Sequence, residues 1–186
     1  MIMKPDIMGT MIAKAAAFFK KEETITAETF QCLLNPIKEN LYNFIFKALN
    51  FCEDANDIYQ ETILRAFKYR GSFKQQGSFK TWIFTIAHNQ VKGYFNQLKK
   101  MPGVELEDQL IVEDADAGNE ILVHDIYEVA RQLTPQQRRV FFLFYDQGFS
   151  IREIIEITGL KQGNIKFILN QAREKIKQKL GVKNEQ

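Results

Sequence analysis

The sequence is poor in the residues that build metal and disulfide sites, because its 186 residues include only two cysteines and two histidines. Cys32 and Cys52 form no Cys-x-x-Cys pair, and the histidines are His88 and His124. This spacing fits neither a zinc site nor a disulfide framework. We therefore expect reduced thiols in the core of a cytoplasmic protein, with no metal and no cofactor.

Catalytic motifs and membrane segments are missing as well. The absence of a Gly-rich phosphate loop, a nucleophile motif and a metal-ligand cluster argues against an enzyme, and His88 is interpreted as a polar helix residue rather than a general base. The apolar stretch 7–19 is interrupted by Lys14. It is interpreted neither as a signal peptide nor as a membrane span, so we expect a cytoplasmic chain with no membrane insertion.

The charges are unevenly distributed along the chain, although the net charge is only +2. Residues 1–100 carry 14 basic and 9 acidic side chains, residues 101–130 carry no basic and 9 acidic ones, and residues 131–186 carry 11 and 5. Two basic blocks separated by an acidic strip indicate two modules that bind a polyanion, joined by a segment with another role.

The stretch Thr62–Lys100 contains eight basic residues and no acidic residue. Eight aromatic residues are interleaved with them: Phe67, Tyr69, Phe73, Phe79, Trp82, Phe84, Tyr94 and Phe95. An unpaired nucleic-acid strand is bound by positive charges for its phosphates and by rings for its unstacked bases. Rings at helical spacing more often fill a core, so we expect about half of the eight to be buried.

The first half of the chain reads as three helices. Apolar residues recur at helical spacing from Ala27 onwards, and Pro36 is expected to interrupt that helix. A second helix is predicted from Asp54 to Tyr69, with Phe67 on its core face, and a third over Phe79–Leu98. Three helices with short connections form a small all-α domain.

The second half begins with an acidic stretch that has too few large apolar residues for a core, so we interpret it as an extended linker. Helices are then predicted over 121–132, from Thr134, from Ser150 and after Gly159. The second of these contains Val140–Tyr145, which is apolar almost all round and should be the buried centre of a bundle. A short helix, a Gly turn and a longer polar-faced helix form a helix-turn-helix layout, whose second helix enters the major groove of DNA.

Five segments resemble the bacterial sigma factors of RNA polymerase, most closely the small extracytoplasmic-function (ECF) group. Similar to sigma region 2 are Asp54–Phe67 and Ser78–Asn89; similar to sigma region 4 are Leu133–Arg138, Gly148–Ile154 and the helix from Gln162. The resemblance covers about Ala27–Leu98 and Ile121–Leu180 in the order typical of that group.

The resemblance implies an all-α protein with two small helical domains joined by an acidic extended linker. Residues 1–25 would be a leader of unknown role, 26–100 region 2, 101–120 the linker and 121–182 region 4. Such a protein binds core RNA polymerase, recognises the promoter −35 and −10 elements and promotes strand opening.

Three sets of residues take roles by this resemblance. Binding to the β′ clamp helices of core polymerase is implied for Asp54, Asp57, Ile58, Gln60, Glu61 and Leu64. Binding to the −10 element is implied for Phe73, Lys74, Phe79, Lys80, Trp82, His88, Asn89, Lys92 and Tyr94. Binding to the −35 element is implied for Arg152, Gln162, Gly163, Asn164, Lys166, Phe167, Asn170 and Arg173. The region 4 domain would also rest on the β flap.

Two other functions remain open at this point. One is a stand-alone helix-turn-helix regulator that binds duplex DNA without polymerase, and the other is a sigma-like decoy without promoter activity. The resemblance also implies an anti-sigma factor as a partner. Phe167 and Ile168, beside the expected DNA face, would contact either thymine methyl groups or a partner protein.

Overall fold

The computed structural model describes residues 25–74, 77–101 and 120–179, and every regular element in those ranges is helical, which confirms the all-α prediction. The eight α-helices are α1 (Ala27–Leu34), α2 (Lys38–Ala48), α3 (Ala55–Lys68), α4 (Phe79–Leu98), α5 (Glu120–Arg131), α6 (Pro135–Tyr145), α7 (Ile151–Thr158) and α8 (Gln162–Lys179). Short 3₁₀ turns cover Asn35–Ile37 and Arg70–Ser72. The predicted leader, except for Ile25, and nearly all of the predicted linker lie outside these ranges.

Local chemistry sets several helix ends where the sequence predicts them. Pro36 lies in the 3₁₀ turn between α1 and α2, because a proline has no N–H to continue the helix. The Ser78 hydroxyl accepts a hydrogen bond from the backbone N–H of Thr81 and caps α4. Gly159 ends α7 with φ +70°, a left-handed conformation that favours glycine.

Helices α1–α4 form the N-terminal bundle, and most of its core follows the apolar pattern of the sequence. Leu41, Phe44 and Ile45 of α2 meet Ile83 of α4, and all four are fully buried. The prediction for Phe67 is wrong, because this side chain is 39% exposed. The buried residues of α3 are small ones instead: Ala55, Thr62 and Ala66. Phe67 lies at the edge of the bundle, where its ring meets Phe30 of α1 edge-on.

The two cysteines have different environments. Cys52 is buried, as expected, and burial raises the pKa of its thiol. Cys32 is exposed, so the prediction of a core thiol is wrong there. The inward-facing residue of α1 is Phe30, and a residue two positions further along a helix points away from that side.

Helices α5–α8 form the C-terminal bundle, and α6 is its centre, as predicted from its apolar run. Val140, Phe141, Phe142 and Leu143 are at most 2% exposed. Arg138 precedes them and is buried, which its sequence context did not indicate. Its guanidinium donates hydrogen bonds to the carbonyl oxygens of Ala130, Arg131 and Leu133 at 3.0–3.1 Å, and so satisfies acceptors at the C-terminal end of α5.

The two bundles pack against each other along a surface that we call the seam, where α2 and α4 meet α6, α7 and the turn between them. The ring centroids of Phe84 and Phe149 lie 5.0 Å apart across it. Lys47 Nζ donates to Asp146 Oδ1 at 2.5 Å. One hydrophobic core therefore continues through both bundles. None of the helices described has the length and hydropathy that a bilayer-spanning segment needs.

Candidate nucleic-acid and partner interfaces

The residues predicted to bind polymerase lie on the outer face of α3 and at its N-terminal end. Five of the six are exposed: Asp54, Asp57, Gln60, Glu61 and Leu64. Ile58 is half-buried against the core. Leu64 is 65% exposed, and the exposed Glu61 carboxylate lies one turn earlier on the same face of α3. An acidic ridge with an apolar centre suits a partner surface that is basic and apolar.

Asp54 fixes the start of this ridge against α4. The Tyr94 hydroxyl donates a hydrogen bond to Asp54 Oδ2 at 2.7 Å. Burial, together with that hydrogen bond, raises the pKa of Tyr94, which stays neutral and a donor. Tyr94 therefore links the ridge to the helix that carries most of the predicted −10 residues.

A cleft of about 290 Å³ lies between the end of α3 and the middle of α4. Its lining consists of Arg65, Tyr69, Ser72, Trp82, Ile86, Asn89 and Gln90. Two aromatic side chains are accompanied here by amide groups and a guanidinium, which together can contact the face, the edge and the phosphate of an unpaired nucleotide.

Only Trp82 and Asn89 of this cleft are among the predicted −10 residues. The sequence contained a signal for the others, since Arg65 and Tyr69 are four residues apart, and Gln90 follows Ile86 by four residues. The pairing of the two helices was the missing information. Arg65 Nη1 donates to Gln90 Oε1 across the cleft, which joins α3 and α4 directly.

Phe73 and Phe79 lie beneath the cleft rather than on the surface. They are 6% and 8% exposed, and their ring centroids lie 5.4 Å apart. Each ring lies 5.5 Å from Trp82. The two phenylalanines thus hold the Trp82 ring in place instead of offering free faces. Of the remaining predicted residues, Lys74, Asn89 and Lys92 are exposed and Tyr94 is half-buried.

Lys80 and His88 face the seam. Lys80 Nζ donates to the carbonyl oxygen of Gln147 at 2.8 Å and lies 4.5 Å from the ring centroid of Phe149. His88 is 4% exposed, and burial together with the positive charges of Arg139 and Lys92 lowers its pKa to about 3. The imidazole is therefore neutral at physiological pH. In this arrangement the His88 imidazole is covered, and the Lys80 ammonium is directed at the Gln147 carbonyl oxygen.

Helices α7 and α8 form the predicted helix-turn-helix. Ser150 and Glu153 make a reciprocal capping box at the start of α7, and these hydrogen bonds lower the pKa of the Glu153 carboxyl. Gly159 makes the turn into α8. Ile165 and Leu169 bury one side of α8 in the bundle, which directs the opposite side to solvent.

Every residue predicted to contact the −35 element is exposed on this unit. They are Arg152, Gln162, Gly163, Asn164, Lys166, Phe167, Asn170 and Arg173. Phe167 is 60% exposed. Ile168 is 3% exposed and packs in the core, so the expectation that it contacts thymine or a partner is wrong. Arg173 Nε donates to the Tyr145 hydroxyl at 2.6 Å, which positions its guanidinium beside α6.

Comparison with known proteins identifies two family matches. Residues 33–101 match Sigma-70 region 2, and residues 124–176 match Sigma-70 region 4. The chain is 27% identical to the ECF RNA polymerase sigma factor SigW of Bacillus subtilis, over 93% of this chain and 98% of that protein. It is 26% identical to the ECF sigma factor BldN of Streptomyces coelicolor, over 86% of this chain and 63% of BldN.

Solved structures share the fold. The sigma factor RpoE of Bartonella quintana, crystallised with the anti-sigma factor NepR, superposes with a TM-score of 0.69 at 24% identity, over 83% of this chain and 98% of that one. CnrH, in complex with the cytosolic domain of CnrY, superposes with a TM-score of 0.60 at 17% identity, over 86% and 92%. The two family matches together span about two thirds of the chain. The protein belongs to the ECF group of the sigma-70 family, the promoter-specific initiation factors of RNA polymerase.

Proposed function

We propose that this sigma factor divides promoter recognition between two parts of the chain. Residues 26–100 bind core polymerase and the opened −10 element, residues 121–182 bind the −35 duplex, and residues 101–120 connect them. The chain acts by binding rather than by catalysis. Its place of action is the cytoplasm, where it directs core polymerase to promoters.

The cleft between α3 and α4 is the observation that carries the proposal. A duplex-binding repressor has no use for a small concave site with aromatic walls beside an acid-free helix. Such a site suits one base that has left the stack, with Trp82 or Tyr69 against its face and Asn89 at its edge. Lys74 and Lys92 are exposed on the same bundle and supply charge for the phosphates on either side.

The exposed face of α8 recognises the −35 duplex. Lys166 and Asn170 are four residues apart on one face, Asn164 is exposed in the first turn of α8, and amide and ammonium groups hydrogen-bond base edges in the major groove. Phe167 adds an apolar contact suited to a thymine methyl group. Arg152, at the start of α7, is placed to contact a phosphate.

Binding to polymerase uses the acidic ridge of α3 for the β′ clamp helices, with Leu64 as the apolar centre of the contact. The C-terminal bundle rests on the β flap. An anti-sigma factor binds the Bartonella relative, and we extend that class of partner to this chain. Exposed Phe167 is a candidate contact for it.

A DNA-binding experiment tests the proposal. A labelled promoter fragment should bind weakly to the chain alone and tightly to the chain with core polymerase. Leu64→Ala should weaken association with core polymerase, and Met101→Ala, which removes a side chain of comparable exposure (56%) outside the acidic ridge, should not. Tight duplex binding without polymerase would support the stand-alone regulator. Association with polymerase without promoter binding would support the decoy.

A further inference from the structure

We infer that the C-terminal bundle contains a binding site for a monocarboxylic acid with an apolar body. The site is a cavity of about 620 Å³ that lies between α5, α6 and α8. Arg173 of α8 binds the carboxylate, and the apolar lining binds the rest of the molecule. This inference goes beyond the proposed function and involves neither polymerase nor DNA.

The cavity is lined mainly by aromatic and aliphatic side chains. They are Ile126 and Tyr127 of α5, Phe141, Phe142 and Tyr145 of α6, and Ile176 of α8. Two pairs of rings contact each other in this lining, with centroids 6.3 Å apart for Tyr127 and Phe142 and 4.9 Å apart for Phe141 and Tyr145. Small-molecule sites have volumes of about 300–1,000 Å³ and linings with few polar groups. The cavity therefore has the size and the surface of a site for a largely apolar ligand.

Arg173 is a cation of this lining with hydrogen-bond donors to spare. Its Nε donates to the Tyr145 hydroxyl at 2.6 Å, which orients the guanidinium beside the cavity. Its two Nη groups donate to no protein atom within the part of the chain that the structure describes. A guanidinium can donate two parallel N–H groups to one carboxylate, and such bidentate pairs are among the strong charge-assisted hydrogen bonds.

The neighbouring charges favour a ligand with a single negative charge. Lys177 also lines the cavity, but its ammonium lies 3.4 Å from the Glu174 carboxylate. Asp146 lines the cavity as well and would repel a second negative charge on the ligand. One carboxylate suits this arrangement better than a phosphate dianion does. A neutral apolar ligand would take water from the guanidinium without replacing the lost hydrogen bonds.

Methyl NMR of the whole wild-type chain, labelled at the isoleucine δ1 carbons, tests the site. The probes are dodecanoate, kept below its micelle concentration, and 2-naphthoate. Signals of Ile126 and Ile176 should shift saturably with at least one acid, because both side chains line the cavity. Ile83 is fully buried in the N-terminal bundle, and its signal should not move. Shifts without saturation, or equal shifts at Ile83, would mean nonspecific binding and would overturn the proposal.

A ligand pair and a variant pair test the role of the carboxylate. Dodecanol has the same chain length without the charge and should bind about tenfold more weakly than dodecanoate. Arg173→Gln should weaken dodecanoate binding by about tenfold and leave dodecanol binding unchanged. Arg152→Gln removes the same charge from α7, where the side chain is 91% exposed, and should keep the wild-type affinity. Equal dodecanoate affinity in Arg173→Gln and in the wild type contradicts the assignment of Arg173.

Ile176→Trp tests the location of the site. It places a larger side chain in the cavity without changing the charge, so it should block both acids, and its unfolding midpoint shows whether the variant is folded. Wild-type affinity in folded Ile176→Trp would place the site elsewhere. Failure of both acids to bind the wild-type chain overturns the site and leaves the proposed function intact, since polymerase-dependent promoter binding is measured without either acid.

Discussion

Helices α4 and α8 carry most of the residues assigned to DNA, but they differ in how many of their sides are buried. α8 is buried on one side only, and all its assigned residues face solvent. α4 is buried on two sides, one against α2 and α3 and the other against the C-terminal bundle. A helix that reads duplex DNA needs only a scaffold behind it. The helix proposed to hold an unpaired strand packs against both bundles, so its assigned residues divide between the surface and the seam.

The largest difference between the two helices should appear in stability. Phe84→Ala removes a fully buried ring that contacts Phe44 and Phe149, and should lower the free energy of unfolding by about 3–5 kcal/mol. Phe167→Ala, the same substitution on the exposed face of α8, should change it by less than about 0.5 kcal/mol. Urea unfolding measures both. Similar losses for the two variants would mean that α4 is no more buried than α8.

Substitutions on α4 should mainly affect strand opening, and substitutions on α8 should mainly affect duplex binding. Trp82→Ala removes a proposed stacking ring, so open complexes should be less stable by about 1–3 kcal/mol, measured by permanganate reactivity of unpaired thymines. Lys166→Ala should weaken binding to −35 duplex and reduce the salt dependence by about one counterion, with little change once the strands are open. If Trp82→Ala weakened duplex binding as much as Lys166→Ala does, the division of roles would be wrong.

The sequence predicted local structure well. The bounds of the third helix, Phe79–Leu98, agree with α4, and Pro36 interrupts the first helix as expected. Periodicity and capping residues act within a few positions, so a single chain segment contains what is needed to predict them. The same reasoning predicted most of the exposed face of α8, with Ile168 as the exception, because Ile165 and Leu169 define its buried side.

The seam could not be predicted in this way. Lys47 and Asp146 are 99 positions apart, and no local pattern pairs them. The sequence pattern indicates one buried side for α4 and a polar helix role for His88, whereas α4 has two buried sides. The resemblance implies DNA contacts for Phe73 and Phe79, but three neighbouring rings pack together and Trp82 is the most accessible of them. Tertiary packing decided all three cases.

Acidification should lower the free energy of unfolding, because the His88 imidazole of α4 is buried in its neutral form. His88 has its pKa lowered to about 3 in the folded chain, against about 6.5 for an exposed imidazole, so the unfolded state takes up the proton first. Stability is therefore fully present above pH 6.5 and falls as the pH drops towards 3. Between pH 7.5 and pH 5.0 the loss should be about 2 kcal/mol.

His88→Asn provides the comparison for this pH dependence. The positive charges of Arg139 of α6 and Lys92 of α4 disfavour protonation of the imidazole, and the variant has no imidazole to protonate, so it should lose most of the slope. Thermal unfolding at several pH values measures it. An unchanged slope in His88→Asn would place the titrating group elsewhere.

A smaller loss of stability is expected from the cap at the start of the helix-turn-helix. Ser150→Ala removes the side chain that accepts from the Glu153 backbone N–H, and should cost about 1 kcal/mol of stability. Ser150→Thr keeps the hydroxyl and should restore most of it. Denaturant midpoints for the two variants measure the loss of stability. An equal loss in Ser150→Ala and Ser150→Thr would show that the capping hydroxyl is not the cause.

Run-off transcription tests the central claim most directly. Purified core polymerase is supplied with DNA from upstream of the gene for this chain, with and without the chain itself. The account predicts transcripts with a defined start only when the chain is present, and fewer of them with Trp82→Ala. The same transcripts without the chain, or none with it although it binds core polymerase and this DNA, would contradict the assignment of α4 and α8 to promoter opening and recognition.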